Sequence, residues 1–505
     1  MTAFVIPEWV KDAIFYQIFP DRFARSEAVP KPSNLEPWDS PPTVHGFKGG
    51  DLLGVVEHLD YLEDLGITAI YFNPIFRSAA NHRYFTHDYY QVDPILGGNE
   101  AFRVLLDTAH ARGIRIVLDG VFNHAGRGFY QFHHTLENGA ASPYLDWFHF
   151  DEERLLAGKR LDAYPSPKKE RRLAGSHRSR QELGYQAWWD VPALPKFNIN
   201  TPAVRHFILD VACHWIEFGI DGWRLDVPYE IDDAFWREFR LVVKTANPEA
   251  YLVGEIWDDA RRWLQGDQFD AVMNYIFNRA CLGFFGGEHL DTMQRPGSYK
   301  LRPLSAVQFA NAVDDLLSLY AWEVTLVQLN LLSSHDEPRF LTLVQGDKAA
   351  LQLATLFQMT FPGAPCVYYG DEIGMEGCPD PDCRRAFPWD EARWDHDLLA
   401  FFRRAITLRR EHPALRRGRY RRLYANRQRG VYAFARQYEE ESLVVVLNNG
   451  PTSYALDVPV RGLFADGTTL HDLWAGGQAQ VAAGRITGAT LPPRSGAVLT
   501  AGQSK

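Results

Sequence analysis

The stretch VRHFILDVACHWIEFGIDGWRLD, residues 204–226, carries one unit of a pattern that repeats along most of the chain. From Val204 to Phe218 apolar side chains return every three to four positions, the period of an amphipathic helix, and Gly219 supplies a stop. GWRLD (222–226) then reads as a short buried strand ending on a charged residue. Similar strand-like runs are AIFYQIF (13–19), TAIYFN (68–73), IRIVLDG (114–120), YLVGE (251–255), FDAVMN (269–274), LVQLNLL (326–332) and CVYYG (366–370). Stretches of helical period such as LLAFFRRAITLRREH (398–412) lie between them. Strand and helix in alternation build a parallel sheet, and eight units favour closing it. The expected fold is an α/β class (β/α)8 TIM barrel.

Two intervals depart from the rhythm. Between His124 and the helix opening at Thr201-Pro202 lie about seventy residues rich in Gly, Pro, charge and aromatics, too many for a structureless loop in a compact protein. We expect an inserted subdomain at 125–197, with the barrel formed by 1–124 and 198–412. After Pro413 short alternating strands with turn signals (GVYAFARQ, SLVVVLNNG, YALDVPV, ITGATLPP) predict a C-terminal antiparallel β-sandwich over 413–505.

A net charge of −10 gives no electrostatic footprint for nucleic acid, and the basic run SPKKERRLAGSHRSR (166–180) reads as a solvated loop. No run of about 18 apolar residues suggests a membrane partner. The N-terminal MTAFVIPEWVKDAIFYQIF lacks a basic leader and cleavage site, and five cysteines without framework spacing suit reduced thiols, so a cytoplasmic protein is expected.

In barrels of this kind function gathers where strands end. Here the ends are polar: Asp119 with Asn123 and His124 on the third run, Arg224 and Asp226 on the fourth, Glu255 on the fifth, and His335-Asp336 after the seventh. A single acidic residue at such a place is as readily a structural ion pair, but four carboxylates, two histidines and an arginine on one rim suit chemistry. Cleaving a glycosidic bond with retention needs a carboxylate nucleophile and a carboxylic acid about 5–5.5 Å apart, which neighbouring strands can supply. Asp226 and Glu255 fit those roles. Arg224, two residues before Asp226, shares its face and can hold it ionised, while Asp336, His124 and His335 can bind the sugar and its cationic transition state. A divalent-metal hydrolase is the rival chemistry for such a set.

DGVFNH (119–124), GWRLDV (222–227), GEIW (254–257) and SSHD (333–336) resemble, in order and spacing, the four signature regions of the α-amylase family. LPKFN (194–198), GDEIGM (370–375) and NHRYFTHDYYQVDP (81–94) resemble further family segments. The resemblance covers residues 13–411. It implies Asp226 as nucleophile, Glu255 as acid/base and Asp336 as stabiliser, with His82, Tyr84, Asp119, His124, Arg224, Trp257, His335 and Arg339 as substrate-binding residues. LPKFN is similar to the pattern of the neopullulanase, cyclomaltodextrinase and maltogenic amylase group. That likeness implies hydrolysis of α-1,4 bonds in cyclodextrins, maltooligosaccharides, starch or pullulan, with some α-1,6 cleavage.

Members of that group usually carry an N-terminal sandwich domain that builds a dimer; this sequence starts almost directly at the first run, so the resemblance does not by itself lead us to expect that dimer, and the oligomeric state stays open. After the nucleophile the chain reads Val227-Pro228-Tyr229-Glu230, which alters the wall facing the acceptor sugar. The loop after DRF (21–23) lacks the ligands that often hold calcium in relatives; no cofactor is required, and calcium stays an open but disfavoured possibility. An α-glucan transglycosylase with the same residues, an α-glucosidase for short oligosaccharides, and a non-catalytic carbohydrate-binding protein are the rival functions.

Overall fold

The computed structural model describes residues 5–501. Its first layer is an eight-stranded parallel sheet: β1 (Phe15–Ile18), β2 (Ala69–Phe72), β3 (Arg115–Gly120), β4 (Gly222–Leu225), β5 (Tyr251–Gly254), β6 (Ala271–Val272), β7 (Leu329–Leu331) and β8 (Ala364–Tyr368). Each strand pairs with its sequence neighbour, β8 returns to β1, and a parallel bridge from Met273 to Leu329 joins β6 to β7 and closes the barrel. Apart from Arg115 at the start of β3, every strand residue is buried, as parallel strands covered on both faces must be.

Helices cover the outside, among them Gly98–Ala111, Pro202–Phe218, Asp233–Ala246, Lys348–Thr360 and His396–Glu411. The expected strand–helix alternation needs one correction. Between β5 and β6, residues 255–270 form successive turns without a helix among the described residues. Ala260, Trp263 and Leu264 have helical spacing there and are buried, yet the segment runs as turns.

Register places the functional side chains. Asp119 lies opposite Arg224 across β3 and β4. Beyond the strands the ladder continues: Asp226 donates its N–H to Gly120 O (3.1 Å) and Glu255 to Leu225 O (2.9 Å). Asp226 and Glu255 therefore leave adjacent strands at one level. After β2 a hairpin, Phe76–Ser78 with Thr86–Val92, carries His82 and Tyr84 over the same rim.

Residues 125–197 hold four short α-helices, from Tyr130–Asn138 to Ser179–Leu183, around an aromatic cluster that includes Phe129, Phe132, Phe148 and Phe150. A bridge between His124 and Lys196 ties the end of this segment back to the barrel mouth. The basic run forms exposed short helices, with Lys169 paired to Asp162 and Arg172 to Glu182.

The C-terminal region is an eight-stranded, largely antiparallel sheet backed by a two-stranded one. Its central strands divide by parity. Tyr432, Phe434, Leu443 and Val445 pack with the barrel core, whereas Val431, Ala433, Val444 and Val446 face a second core with Leu470, Val481 and Ile486.

Candidate active site

A cavity of about 220 Å³ opens at the carboxyl ends of the barrel strands, lined by His82, Tyr84, Phe85, His124, Trp188, Leu194, Asp226, Val227, Glu255, Asp336, Asp380 and Arg384. Its floor is built on Arg224, fully buried on β4. One guanidinium nitrogen lies 2.9 Å from both Asp119 Oδ1 and Asp226 Oδ1, and the other lies 2.9 Å from Glu255 Oε2. Three carboxylates thus share one cation. Burial, reinforced by Glu255 and Asp119 and opposed by Arg224, pushes the Asp226 carboxyl well above the usual carboxylate range. Burial pushes Asp119 up to about 6, although Arg224 and two tyrosyl donors favour its anion. Carboxyls packed this closely titrate together, so a proton taken up by Asp119 and Asp226 belongs to the pair rather than to one residue.

The backbone around the cluster is strained at one point. Val227 has φ 37° and ψ 52°, a left-handed conformation that a β-branched residue adopts at a cost. That turn aims its N–H at Glu255 Oε2 (3.1 Å), locking the segment after Asp226 to the second carboxylate. On the far side Trp257 donates Nε1–H to Glu255 Oε1 (3.0 Å) and is stacked on Tyr275 at 3.7 Å.

The opposite wall is a hydrogen-bonded chain. Gln17 donates to His335 Nδ1 (2.9 Å), so Nε2 carries the proton and donates to Tyr84 Oη (2.7 Å). Tyr84 Oη in turn donates to Asp119 Oδ2 (2.8 Å), which also accepts from Tyr71 Oη. Burial, with Arg384 and Arg224 nearby, holds His335 well below its usual value. Burial takes His82 and His124 down to about 3. All three imidazoles are neutral at working pH. His124 Nε2, buried and without a partner, is free for a sugar hydroxyl.

Most sequence-derived site residues converge, in three tiers. His82, Tyr84, His124, Asp226, Glu255 and Asp336 line the cavity; Asp119 and Arg224 lie beneath it; Trp257 and His335 bond to the lining. Arg339 is the correction. It is fully buried, bonded to Tyr369 O and Asp371 Oδ1 (both 2.8 Å) and covered by the rings of Tyr368 and Tyr369. Its N–H goes to Gly377 O as the short helix Phe340–Leu343 begins, which turns the side chain behind the rim. Replacing it by Met leaves Asp371 buried and unpaired, and we expect a loss of about 3–5 kcal/mol in urea unfolding with KM for substrate unchanged.

Asp380 and Arg384 are not among the residues singled out by the sequence, because they lie in GCPDPDCRR (377–385), an irregular stretch with no strand or helix period. Arg384 Nε donates to His335 O (2.8 Å), and its other nitrogens lie 3.0 Å from Asp380 Oδ1 and 3.5 Å from Asp336 Oδ1. Cys378 and Cys383 are both free.

Two lysines bind oxygens of the loop after Asp21 and the segments packed on it. Lys31 Nζ lies 2.8 Å from Asp51 Oδ2 and 2.7 Å from Ile95 O, and Lys48 Nζ bonds Pro37 O and Ser40 O at 2.7 Å. Among the described residues no group of three or more His, Cys, Asp or Glu is arranged to hold a metal ion.

Residues 17–393 match the family model described as the alpha-amylase catalytic domain, and residues 420–500 that of the neopullulanase-like C-terminal domain. The chain belongs to the α-amylase family. A cyclomaltodextrinase from a Bacillus species is 44% identical over 456 residues, spanning 90% of this chain and 75% of that protein. The crystal structure of Ttha1563 from Thermus thermophilus superposes with a TM-score of 0.90 at 50% identity, covering 98% of this chain and 100% of the other. The Nostoc punctiforme debranching enzyme, soaked with acarbose, gives 0.85 at 47% identity, covering 98% and 99%. Within the α-amylase family this chain is an α-glucan hydrolase, a glycosidase on a TIM barrel. No helix among its described residues is long and apolar enough to cross a membrane.

Proposed function

We propose that the protein hydrolyses α-1,4-glucosidic bonds of cyclodextrins and maltooligosaccharides, and more slowly of starch and pullulan, by retaining double displacement. The bridging of Asp226 and Glu255 by the single Arg224 guanidinium carries this reading. It keeps the two carboxylates on one cation, an arrangement compatible with the separation of about 5–5.5 Å that retaining enzymes use.

In the first step Asp226 attacks the anomeric carbon, the bond to the leaving oxygen breaks, and that oxygen takes the proton of Glu255. Arg224, bonded to Asp226 Oδ1, keeps negative charge on the nucleophile. In the second step Glu255 removes a proton from water, whose oxygen bonds to the anomeric carbon and frees Asp226. Asp336 stabilises the cationic transition state, and His82, Tyr84, His124 and His335 orient the reacting ring. No step passes through a metal. Five unpaired cysteines suit a reducing compartment, and we assign the protein to the cytoplasm.

Chromatography of products from β-cyclodextrin, soluble starch and pullulan in parallel tests the specificity. We expect ring opening to outrun starch hydrolysis at least tenfold; intact cyclodextrin beside degraded starch would contradict the assignment. The Nostoc debranching relative favours α-1,6 cleavage as a second reading, and maltose released together with intact β-cyclodextrin from 6-O-maltosyl-β-cyclodextrin measures it.

A further inference from the structure

The carboxyl of Glu255 is held at both oxygens: Oε2 accepts from Val227 N–H (3.1 Å) and Oε1 from Trp257 Nε1–H (3.0 Å). Val227 belongs to the turn that follows the nucleophile. Trp257 instead stands in the turns after β5, where neither strand nor helix fixes its direction. Its hold on Glu255 depends on what holds the indole.

Three side chains outside the catalytic cluster do so. The indole lies on the ring of Tyr275, with centroids 3.7 Å apart and planes 7° from parallel. Tyr275 is buried and opens the helix Tyr275–Gly286, so the platform is rigid. One turn further along that helix, Arg279 Nη2 donates to Trp257 O (2.8 Å) and to Asp258 Oδ1 (3.1 Å). Tyr299 Oη donates to the same carbonyl (3.3 Å), and the Arg279 guanidinium lies 3.6 Å from the centre of the Tyr299 ring. Ring and peptide of Trp257 are both tied down.

Gly297 closes the hold from the surface. Its backbone is left-handed (φ 52°, ψ 27°), as is that of Ser298 (φ 68°), and the turn is closed by Ser298 N–H to Arg295 O (3.0 Å) and Tyr299 N–H to Pro296 O (2.8 Å). A Cβ on Gly297 would stand 2.3 Å from Cζ3 and 2.4 Å from Cε3 of Trp257. Carbon atoms pack best at about 3.5–4.0 Å, so a methyl group here forces a movement. The two carbons lie across the rigid bicycle from Nε1. Either the indole turns or the loop lifts from it with Tyr299, and each loosens Nε1 from Oε1.

We infer that Gly297 and the loop 291–300 are positioning elements for the acid/base, seating Trp257 on Tyr275 so that its Nε1–H fixes the angle at which Glu255 meets the leaving oxygen. The inference rests on the proposed role of Glu255 as proton donor. Proton transfer in the transition state requires that alignment, whereas Arg224 and Val227 N–H remain on Oε2 without it.

The test compares 4-nitrophenyl and 4-methoxyphenyl α-maltosides, which share a glycone and differ little in size. The methoxyphenyl oxygen is the more basic and leaves only with help from the proton. We expect the ratio of kcat/KM, nitrophenyl over methoxyphenyl, to rise roughly fivefold or more in Gly297→Ala and in Trp257→Phe, which keeps a ring on Tyr275 but removes the donor. Because both changes act on one hydrogen bond, the double variant stays within about twofold of the larger single effect. Gly297 is exposed, so the alanine variant should fold; if it does not, Arg279→Met, which frees Trp257 O, takes its place in the cycle. Equal losses on both donors, or ratios that multiply in the double variant, overturn the inference. Absence of phenol release from the unaltered protein with either donor would refute the proposed function and this role with it.

Discussion

Asp226→Asn lowers kcat on maltooligosaccharides by roughly 10⁴-fold or more, about 5 kcal/mol of transition-state stabilisation, while the circular dichroism spectrum and urea midpoint stay near those of the parent. The amide keeps the shape of the carboxylate and accepts from Arg224, so the floor of the site survives. It cannot form the ester, and both steps stop. Arg224 remains paired to Asp119 and Glu255, which is why stability holds. A loss below tenfold, measured on protein free of parent enzyme, would mean that another group attacks the sugar.

Glu255→Gln has an effect of similar size that depends on the leaving group. With a glucan, whose alkoxide leaves poorly, glycosylation needs the proton, and kcat falls by roughly 10³–10⁵-fold. With α-maltosyl fluoride the leaving group needs no proton, so glycosylation persists, while deglycosylation, deprived of its base, becomes limiting. The expected signature is a stoichiometric burst of fluoride followed by slow turnover. Equal losses on both donors would place the acid elsewhere. Trp257 Nε1 and Val227 N, which hold the two carboxylate oxygens in the parent, meet an amide in the variant and lose one acceptor.

Parts of this design were legible because they are local. A strand that ends on Asp119, Asp226 or Glu255 announces its position in a barrel, since parallel strands in register must deliver their last side chains to one rim. Arg224 could be assigned to the face of Asp226 from the two-residue period alone. Arg339 shows the limit of such inference. It stands three residues after Asp336, but the start of a short helix reverses the chain, and its side chain ends between Asp371 and two tyrosines. Asp380 and Arg384 lie in an irregular stretch where no period fixes direction, and only packing against His335 O brings them to the cavity. The segment between β5 and β6 has helical spacing but folds as turns, so periodicity overstated it. The inserted subdomain was visible as an interruption, while the strained turn at Trp189, set by hydrogen bonds from His177 and Ser179, was not.

The central claim is that a glycosyl group passes through a covalent bond to Asp226. Glu255→Gln incubated with α-maltosyl fluoride, quenched in acid, digested and sequenced by mass spectrometry, tests it most directly. The double displacement predicts one maltosyl adduct on the peptide containing GWRLDV, with the mass on Asp226. Fluoride release without an adduct, or an adduct on Asp119 or Asp336, would contradict it.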